Sequence, residues 1–347
     1  MVERILIHAG APKTATTFIQ RGLCSNRGLL ADLGVYLPTT GRLELEPNAV
    51  CHHHLAWALL SPQGYRDSPH SWAALADELA QVDAPVVILS SEAFSRVASK
   101  HDGAAEVTRA ARALGGSVTI AYFVRNQLSL MNSLYGQRVK SFRMVESFDY
   151  HTENYRSRRL FDYEALLKPW YDDDSIDFVA VPFTGDRDVD PLAELLSAGG
   201  IDLGGAVLQH EVDDVNTSLG PVGIEAARLL GSYLRGVYPD FDSEENAAKK
   251  LYRLSSSRAQ SSGWCDESFW GWTPRTAEDT VAYFAAANDR FARDVWGADW
   301  TIPMPLDKET AAVRLLDLEP PIIEKIQRYV FTLASRFSSL RGEALPS

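Results

Sequence analysis

The chain has few of the features that mark secreted, membrane-spanning or disulfide-stabilised proteins. Its three cysteines are widely spaced and odd in number, which excludes a disulfide framework and fits a reducing compartment. No apolar run approaches the roughly 18 residues that a membrane-spanning helix needs. The first apolar run ends at Ala9 and is too short for the core of a signal peptide. We therefore expect a cytoplasmic protein with no membrane span.

The chain also has few positively charged residues relative to negative ones, and no convincing metal-ligand pattern. The chain has 34 lysines and arginines against 46 aspartates and glutamates, a formal net charge of -12. This balance argues against a general nucleic-acid or anionic-membrane surface, although a local basic pocket could still hold a nucleotide. Three adjacent histidines, 52 to 54, lie on a predicted helix, where neighbours point about 100° apart and cannot converge on one ion. We expect no nucleic-acid partner and no metal, and we interpret the histidine run as a half-exposed helix start or a substrate-side surface.

What the chain does contain is an alternation of strand-length apolar runs with helical periodicity. Such an order predicts an α/β fold with a parallel sheet. We predict a three-layer sandwich with a central sheet of about five strands and a mostly helical C-terminal part. The predicted strands are 5–9, 34–38, 85–89, 117–124 and 176–183.

Two parts are predicted along the chain. Residues 1–303 are expected to form a single α/β domain, and residues 304–347 a C-terminal extension. In the extension, apolar residues between Ile322 and Phe337 recur at helical spacing and mark one face of an amphipathic helix. That helix could dock on the domain or pair with a second copy to form a homodimer.

The segment between the first strand and the first helix has the composition of a phosphate-binding loop. It runs from Gly10 to Thr17 and combines small residues with a lysine and three threonines. A helix N-terminus behind such a loop presents backbone N–H groups and a positive dipole end to an anion. The residues predicted to surround the phosphate are Ala11, Pro12, Lys13, Thr14, Ala15, Thr16 and Thr17.

Polar residues also follow two later strands. Glu92 comes after a buried run and two serines, and Arg125 comes directly after the strongest predicted strand. Ligands gather at the carboxyl ends of parallel strands, so Glu92 would lie beside the Lys13 loop if the two strands are neighbours. A glutamate that only stabilises a helix N-terminus is the alternative. Arg125 could make paired contacts with a phosphate, and Ser133, eight positions later, could supply another donor.

Together, the stretches PKTATT (12–17) and VRNQLSLMNS (124–133) resemble the two signatures of sulfotransferases that use 3′-phosphoadenosine-5′-phosphosulfate (PAPS). The resemblance covers roughly residues 3–298 and is strongest before residue 145. It implies that the first loop cradles the 5′-phosphate and that Arg125 and Ser133 hold the 3′-phosphate. The polar stretch 254–264, expected to be a loop, resembles the family's late loop over the 3′-phosphate. It lacks the usual Arg-Lys-Gly run and offers Arg258 for that role.

The resemblance also implies a chemistry and a set of roles. A sulfuryl group would pass from PAPS to a hydroxyl or amine of a saccharide or small-molecule acceptor, releasing adenosine 3′,5′-bisphosphate (PAP). Lys13 would stabilise the leaving phosphate, and no metal would be required. Glu92 is the expected general base, since members of the family use a glutamate or a histidine. His8, expected to be buried, and His101 are the weaker alternatives.

Two other functions remain open at this point. One is a P-loop nucleotide kinase that uses ATP and magnesium. The ATP-type loop places four residues between its first glycine and its Gly-Lys-Ser/Thr end, whereas only Ala11 and Pro12 separate Gly10 from Lys13. The other is a non-catalytic nucleotide-binding protein with the same fold. The combination of Lys13, Arg125 and a strand-end glutamate favours an enzyme.

Overall fold

A five-stranded parallel sheet forms the centre of the α/β part. The computed structural model describes residues 2–43, 49–186, 188–210 and 218–341. The strands lie in the order β2-β3-β1-β4-β5. They are β1 (Arg4–His8), β2 (Val35–Tyr36), β3 (Val86–Ser90), β4 (Ser117–Arg125) and β5 (Asp177–Phe183). The prediction of an α/β sandwich with about five parallel strands and a helical C-terminal part is confirmed.

Helices connect these strands and make up most of the remaining chain. They are α1 (Thr16–Ser25), α2 (Arg27–Asp32), α3 (His53–Leu60), α4 (Pro62–Tyr65), α5 (Trp72–Leu79), α6 (Ala93–Ala98), α7 (Gly103–Arg112), α8 (Gln127–Lys140), α9 (Phe148–Tyr155), α10 (Tyr163–Tyr171), α11 (Pro191–Ala198), α12 (Pro221–Val237), α13 (Glu245–Ser261), α14 (Pro274–Trp296) and α15 (Pro320–Arg341). Among the described residues, none of these helices is both long enough and apolar enough to cross a membrane.

Both faces of the sheet are buried, as expected for parallel strands. On one face, Leu6, Ile88 and Phe123 share a core with Ile19 of α1 and Leu192 of α11. The opposite face is covered by α7 and α10, which contact β4 and β5. The fully buried side chains that alternate with the first set belong to this face: Ile5, Ile7, Val87, Leu89, Ile120 and Tyr122.

The direction of the connections creates a crevice at the carboxyl end of the sheet. The chain leaves β1 toward β2 on one side, and it leaves β4 toward β5 on the other side. β1 and β4 are adjacent and pair in parallel, with His8 opposite Ala121. Adjacent strands whose connections diverge leave an open crevice between their ends, which is where α/β proteins bind ligands.

The described residues divide into two compact units. The first contains the sheet and comprises residues 2–127, 157–210 and 282–304. The second comprises residues 128–156, 218–281 and 305–341. The predicted extension, which begins at residue 304, falls in this second unit together with earlier helices, so the units do not follow the predicted boundary.

The second unit has a helical core of its own. Leu230 and Leu234 of α12 and Leu251 of α13 pack with Leu333 and Phe337 of α15. The apolar face predicted for the terminal helix is therefore buried against α12 and α13 in the same chain. A homodimer through α15, which stays a prediction, would have to use the outer face of this helix.

The expected loop over residues 254–264 is largely helical, because α13 continues to Ser261. Leu251, Ser255 and Ala259 recur every four residues and are all fully buried. The Ser255 hydroxyl is hydrogen-bonded to that of Tyr329, which satisfies a polar group in the core. A serine-rich stretch can thus form a buried helical face, since small side chains allow close packing.

Candidate functional site

The loop between β1 and α1 has an unusual backbone conformation. Lys13 and Ala15 adopt positive φ angles of 68° and 58°. The left-handed region costs a non-glycine residue roughly 1–2 kcal/mol, so it persists only where the surroundings enforce it. Ala15 also occupies the N-cap of α1 without a side-chain cap hydrogen bond. Backbone N–H groups in such a turn can form an anion-binding concavity.

The threonine hydroxyls of the loop differ in what they contact. Thr14, which is fully buried, donates its hydroxyl to the Ala11 carbonyl at 2.6 Å. Thr16 is also buried, and its hydroxyl has no hydrogen-bond partner among the described residues. Buried hydroxyls are normally satisfied, so the Thr16 hydroxyl fits a site that receives a ligand. Thr14 instead shapes the loop, and Thr17 is exposed.

Arg125, at the end of β4, reaches the same loop. Its Nη1 donates a hydrogen bond to the Lys13 carbonyl at 2.6 Å. The guanidinium group also lies 5.6 Å from the ring centroid of Phe183. A guanidinium has five N–H donors, so this contact uses only part of its capacity. Burial lowers the pKa of Arg125 from its ordinary value. Arg125 therefore braces the strained residue of the loop and lies at the crevice between β1 and β4.

The backbone of Arg125 is held by a tyrosine that sequence reasoning did not assign to the site. The Tyr163 hydroxyl, at the start of α10, donates to the Arg125 carbonyl at 2.6 Å. The same hydroxyl accepts the Arg125 N–H at 3.3 Å. Burial raises the pKa of Tyr163, which keeps the hydroxyl protonated and able to donate.

The end of β3 lies beside the loop because β1 and β3 are neighbours, with His8 opposite Ser90. Glu92 was predicted to lie beside the Lys13 loop if its strand neighbours the first strand, and the two strands are neighbours. Glu92 is about one-third exposed, and its Oε1 lies 3.3 Å from Nε2 of His53, which starts α3. Nδ1 of His53 lies 2.6 Å from the Ser91 hydroxyl oxygen. Glu92 Oε2 is buried and makes no hydrogen bond to the described residues.

The carboxyl group of Glu92 is held in its charged form. Burial alone would raise its pKa and is the largest single influence. The contact with His53, a backbone hydrogen bond at Glu92 itself and His8 when it is protonated act together in the opposite direction and lower the pKa overall. An ionised carboxylate can accept a proton from an attacking hydroxyl, so Glu92 has the protonation state that a general base requires.

His8 is fully buried, as expected, and packs closely against the start of the loop. Its Nδ1 lies 2.8 Å from the Ser90 hydroxyl oxygen. Burial lowers its pKa to about 4, and the charge of Glu92 opposes this only in part. A Cβ on Gly10 would lie 2.7 Å from His8 Nε2, so glycine is needed where the chain passes this ring.

The histidine run 52–54 serves three separate purposes. His52 is fully buried and accepts the Ser90 N–H at Nδ1, so its Nε2 carries the proton and donates to the Pro38 carbonyl. His53 contacts Glu92, and His54 stacks on His70 with ring centroids 4.5 Å apart. Over the described ranges, no group of three or more His, Cys, Asp and Glu side chains is placed to hold a metal ion.

Not every predicted residue joins this cluster. Arg125 and Glu92 lie at the strand ends that neighbour the loop. The loop itself contains Ala11, Pro12, Lys13, Thr14, Ala15 and Thr16. Ser133 is half-buried in α8 and Arg258 is exposed on α13; both belong to the second unit. His101 is 94% exposed and pairs with Asp102, away from any buried cluster.

Sequence reasoning missed His53, Ser91 and Tyr163 as parts of the site. The histidine run was interpreted as a half-exposed helix start or a substrate-side surface rather than a metal site, and no partner was predicted for His53. Its pairing with Glu92 joins positions 39 residues apart and depends on α3 packing beside α6. No local pattern encodes such a contact, although a histidine at a helix start and a strand-end glutamate are the types of residue that form one.

Comparisons of the chain with protein-family models, with curated proteins and with solved structures found no match.

Proposed function

We propose that this protein is a sulfotransferase that transfers a sulfuryl group from PAPS to a hydroxyl or amine of a saccharide or small-molecule acceptor. The observation that carries the proposal is the β1–α1 loop. Its two left-handed residues, its helix start without a side-chain cap and the Thr16 hydroxyl, which has no partner in the described part of the chain, fit a phosphate ligand. The motif PKTATT in this loop and the arginine after β4 are those that resemble PAPS-dependent enzymes.

On the donor side, the loop would hold the 5′-phosphate of PAPS. Lys13 would stabilise the negative charge that grows on the phosphate oxygen as the S–O bond breaks. Arg125 keeps Lys13 in its strained conformation and has further N–H donors for the 3′-phosphate. Ser133 and Arg258 stay proposed ligands of that phosphate. By analogy with phosphoryl transfer, positioning and electrostatic stabilisation would supply most of the catalysis.

On the acceptor side, Glu92 would act as the general base. It lies at the end of the strand next to β1, so an acceptor bound there could reach a donor held by the loop. The acceptor oxygen or nitrogen would attack sulfur and lose its proton to the Glu92 carboxylate. Because the pKa of Glu92 is lowered overall, the carboxylate is ionised at neutral pH.

A transfer assay with two labelled donors tests the proposal against the kinase alternative. The protein is incubated with an acceptor extract and either sulfur-labelled PAPS or ATP labelled at the γ-phosphate with magnesium. We expect label to move from PAPS and not from ATP, and we expect Lys13→Ala to abolish the transfer. Phosphoryl transfer without sulfuryl transfer would overturn the proposal, as would full sulfuryl transfer by Lys13→Ala.

A further inference from the structure

The Glu92 side chain contacts α3 through the imidazole ring of His53. His53 lies between two side chains of the β3–α6 junction, with Nδ1 2.6 Å from the Ser91 oxygen and Nε2 3.3 Å from Glu92 Oε1. The His53 side chain is 16% exposed, so it has little freedom to leave this position. The two contacts therefore fix the ring at both nitrogens.

The hydrogen-bond directions are assigned from Glu92, because an ionised carboxylate only accepts and His53 Nε2 must then carry the proton of that contact. The Ser91 hydroxyl oxygen receives the Ala93 N–H at 3.1 Å. We assign the hydroxyl proton of Ser91 to the bond with His53 Nδ1, which leaves Nε2 protonated and donating to Glu92 Oε1. In this arrangement the imidazole N–H orients the carboxylate and occupies only one of its lone-pair sites.

We propose that His53 is a positioning residue that fixes the Glu92 carboxylate for removal of the acceptor's proton, which rests on the proposed sulfuryl transfer. In that step the acceptor's O–H or N–H bond breaks and the proton passes to the carboxylate. A bond forms from the acceptor atom to sulfur, and the sulfur–oxygen bond to the nucleotide phosphate breaks. The electron pair of that bond leaves with PAP.

The alternative, in which His53 itself takes the proton, is disfavoured by the contacts of the ring. Both imidazole nitrogens of His53 are engaged, one with Ser91 and one with Glu92. The carboxylate of Glu92, in contrast, has an Oε2 with no hydrogen bond to the described residues. An ionised carboxylate offers about four lone-pair sites, so accepting one N–H leaves room for the acceptor's proton.

Two histidines from separate elements act on the charge of Glu92. His53 from α3 donates a hydrogen bond, and His8 from β1 contributes only at the low pH at which it is protonated. Burial by itself would raise the pKa of Glu92, and His53 is the main group that opposes it. Removal of His53 therefore deletes the largest of the contributions that oppose burial, and we expect the midpoint of Glu92 ionisation to move to higher pH.

Titration of Glu92 by carboxyl-carbon NMR tests this coupling without any turnover. Glutamate is labelled at the side-chain carboxyl carbon, and the Glu92→Gln spectrum identifies the signal. We expect His53→Ala to move the Glu92 midpoint upward and His53→Gln, which retains an N–H donor, to restore part of the shift. His54→Ala is the matched control, since His54 is the next residue of α3 and contacts Tyr65 and His70 instead. Equal midpoints in wild type and His53→Ala would overturn the proposal.

Kinetics of the same variants separate positioning from proton transfer. We expect His53→Ala to lower kcat roughly 10- to 100-fold with KM for PAPS unchanged, since misplaced groups cost about this much. The acid limb of its kcat–pH profile should move to higher pH. Ser91→Ala should move this limb in the same direction by a smaller amount. An acid limb that stays at the wild-type position in His53→Ala would contradict the positioning role.

Failure of the proposed function gives a different result. A wild-type protein that transfers no sulfuryl group while the NMR midpoint still depends on His53 would reject sulfuryl transfer and keep the His53–Glu92 coupling. Normal transfer together with an unchanged midpoint in His53→Ala would reject the coupling alone.

Discussion

At the residue scale, the loop after β1 holds strain that its neighbours enforce. Lys13 and Ala15 lie in the left-handed region, where each costs roughly 1–2 kcal/mol. Two short hydrogen bonds hold the loop in this strained conformation: Thr14 to the Ala11 carbonyl and Arg125 to the Lys13 carbonyl. Strained residues held in this way are typical of sites that bind a ligand through backbone groups. The conformation is thus set before any phosphate arrives.

The first prediction concerns the base. Glu92→Gln preserves the shape of the side chain but removes the charge that accepts a proton. We expect turnover to fall roughly 10²- to 10⁴-fold while the affinity for PAP is retained, because the loop does not use this carboxylate. Kinetics with labelled PAPS and calorimetry with PAP measure the two effects. Full sulfuryl transfer by Glu92→Gln would exclude this residue as the base.

The second prediction concerns His8 and the stability of the first unit. The pKa of buried His8 is about 4, against 6.5 in an unfolded chain. Between these values the unfolded state binds more protons, so the free energy of unfolding falls as pH decreases. We expect His8 to account for about 2 kcal/mol of the loss between pH 7.5 and pH 5. Urea unfolding at both pH values measures this loss.

His8→Asn is the variant that isolates this contribution. An asparagine can keep a polar atom near the Ser90 hydroxyl but does not titrate in this range. The variant should lose less stability on acidification than wild type, whatever its stability at pH 7.5. An identical pH dependence in the two proteins would show that His8 does not titrate on unfolding. Buried His52, whose pKa burial lowers to about 3, should still contribute.

The local sequence predicted only part of this site. Lys13, Glu92 and Arg125 each follow a strand of their own, so strand periodicity with strand-end polarity was sufficient to find them. His53 and Tyr163 could not be found in this way, because they reach the site from helices that lie far along the chain. Their roles depend on which helix packs beside which strand end. Thr14 was predicted as a ligand, but its hydroxyl proton is used within the loop.

At the element scale, β1 and β4 form the two sides of the crevice, and Arg125 links their carboxyl ends. A third prediction follows from its position. Arg125→Ala should weaken PAP binding roughly 10- to 100-fold more than adenosine 5′-phosphate binding, since a charged hydrogen bond is worth about 1.5–3 kcal/mol. Adenosine 5′-phosphate should also bind somewhat less tightly, because the brace on Lys13 is lost. Equal losses for both ligands would refute the assignment of Arg125 to the 3′-phosphate.

The terminal helix provides a fourth prediction with an internal control. Phe337 on α15 is fully buried among α12 and α13, whereas Phe331 on the same helix is 68% exposed. We expect Phe337→Ala to destabilise the second unit by roughly 3–5 kcal/mol and Phe331→Ala to change it by about 0.5 kcal/mol or less. Urea unfolding followed by tryptophan fluorescence, to which Trp264 packed on Tyr329 contributes, measures both. Equal unfolding midpoints for the two variants would contradict this packing.

Helices were harder to predict than strands where small polar residues face a core. The polar stretch 254–264 was expected to be a loop. In the structure, Ser255 and Ala259 continue the buried stripe that Leu251 begins. A hydrophobicity pattern cannot identify such a face, because the side chains that define it are small and the hydroxyl partner, Tyr329, lies 74 residues away.

At the scale of the whole molecule, sequence patterns predicted the sheet but not the division of the chain. All five strands were predicted, because parallel strands buried on both faces read as continuous apolar runs. The two compact units are each assembled from three separate segments. Such a division depends on long-range contacts and leaves no change of composition at its boundaries. That residues 1–303 form a single domain stays a prediction, and the boundaries of the two compact units differ from it.

With a net charge of -12, the chain as a whole does not attract anions, and Lys13 and Arg125 are local cations in an acidic protein. Specific contacts, rather than an overall positive field, would then have to hold an anionic nucleotide. In the first unit these contacts come from the Lys13 loop and Arg125, which the fold brings to one crevice. The central claim is therefore that the crevice recognises a nucleotide with separate 5′- and 3′-phosphates.

Calorimetry of the wild-type protein with PAP and with ATP-Mg tests this claim most directly, because it needs no acceptor. We expect PAP to bind and ATP-Mg to bind much more weakly, since the loop is shorter than the ATP-type loop. Tight binding of ATP-Mg with no detectable binding of PAP would contradict it.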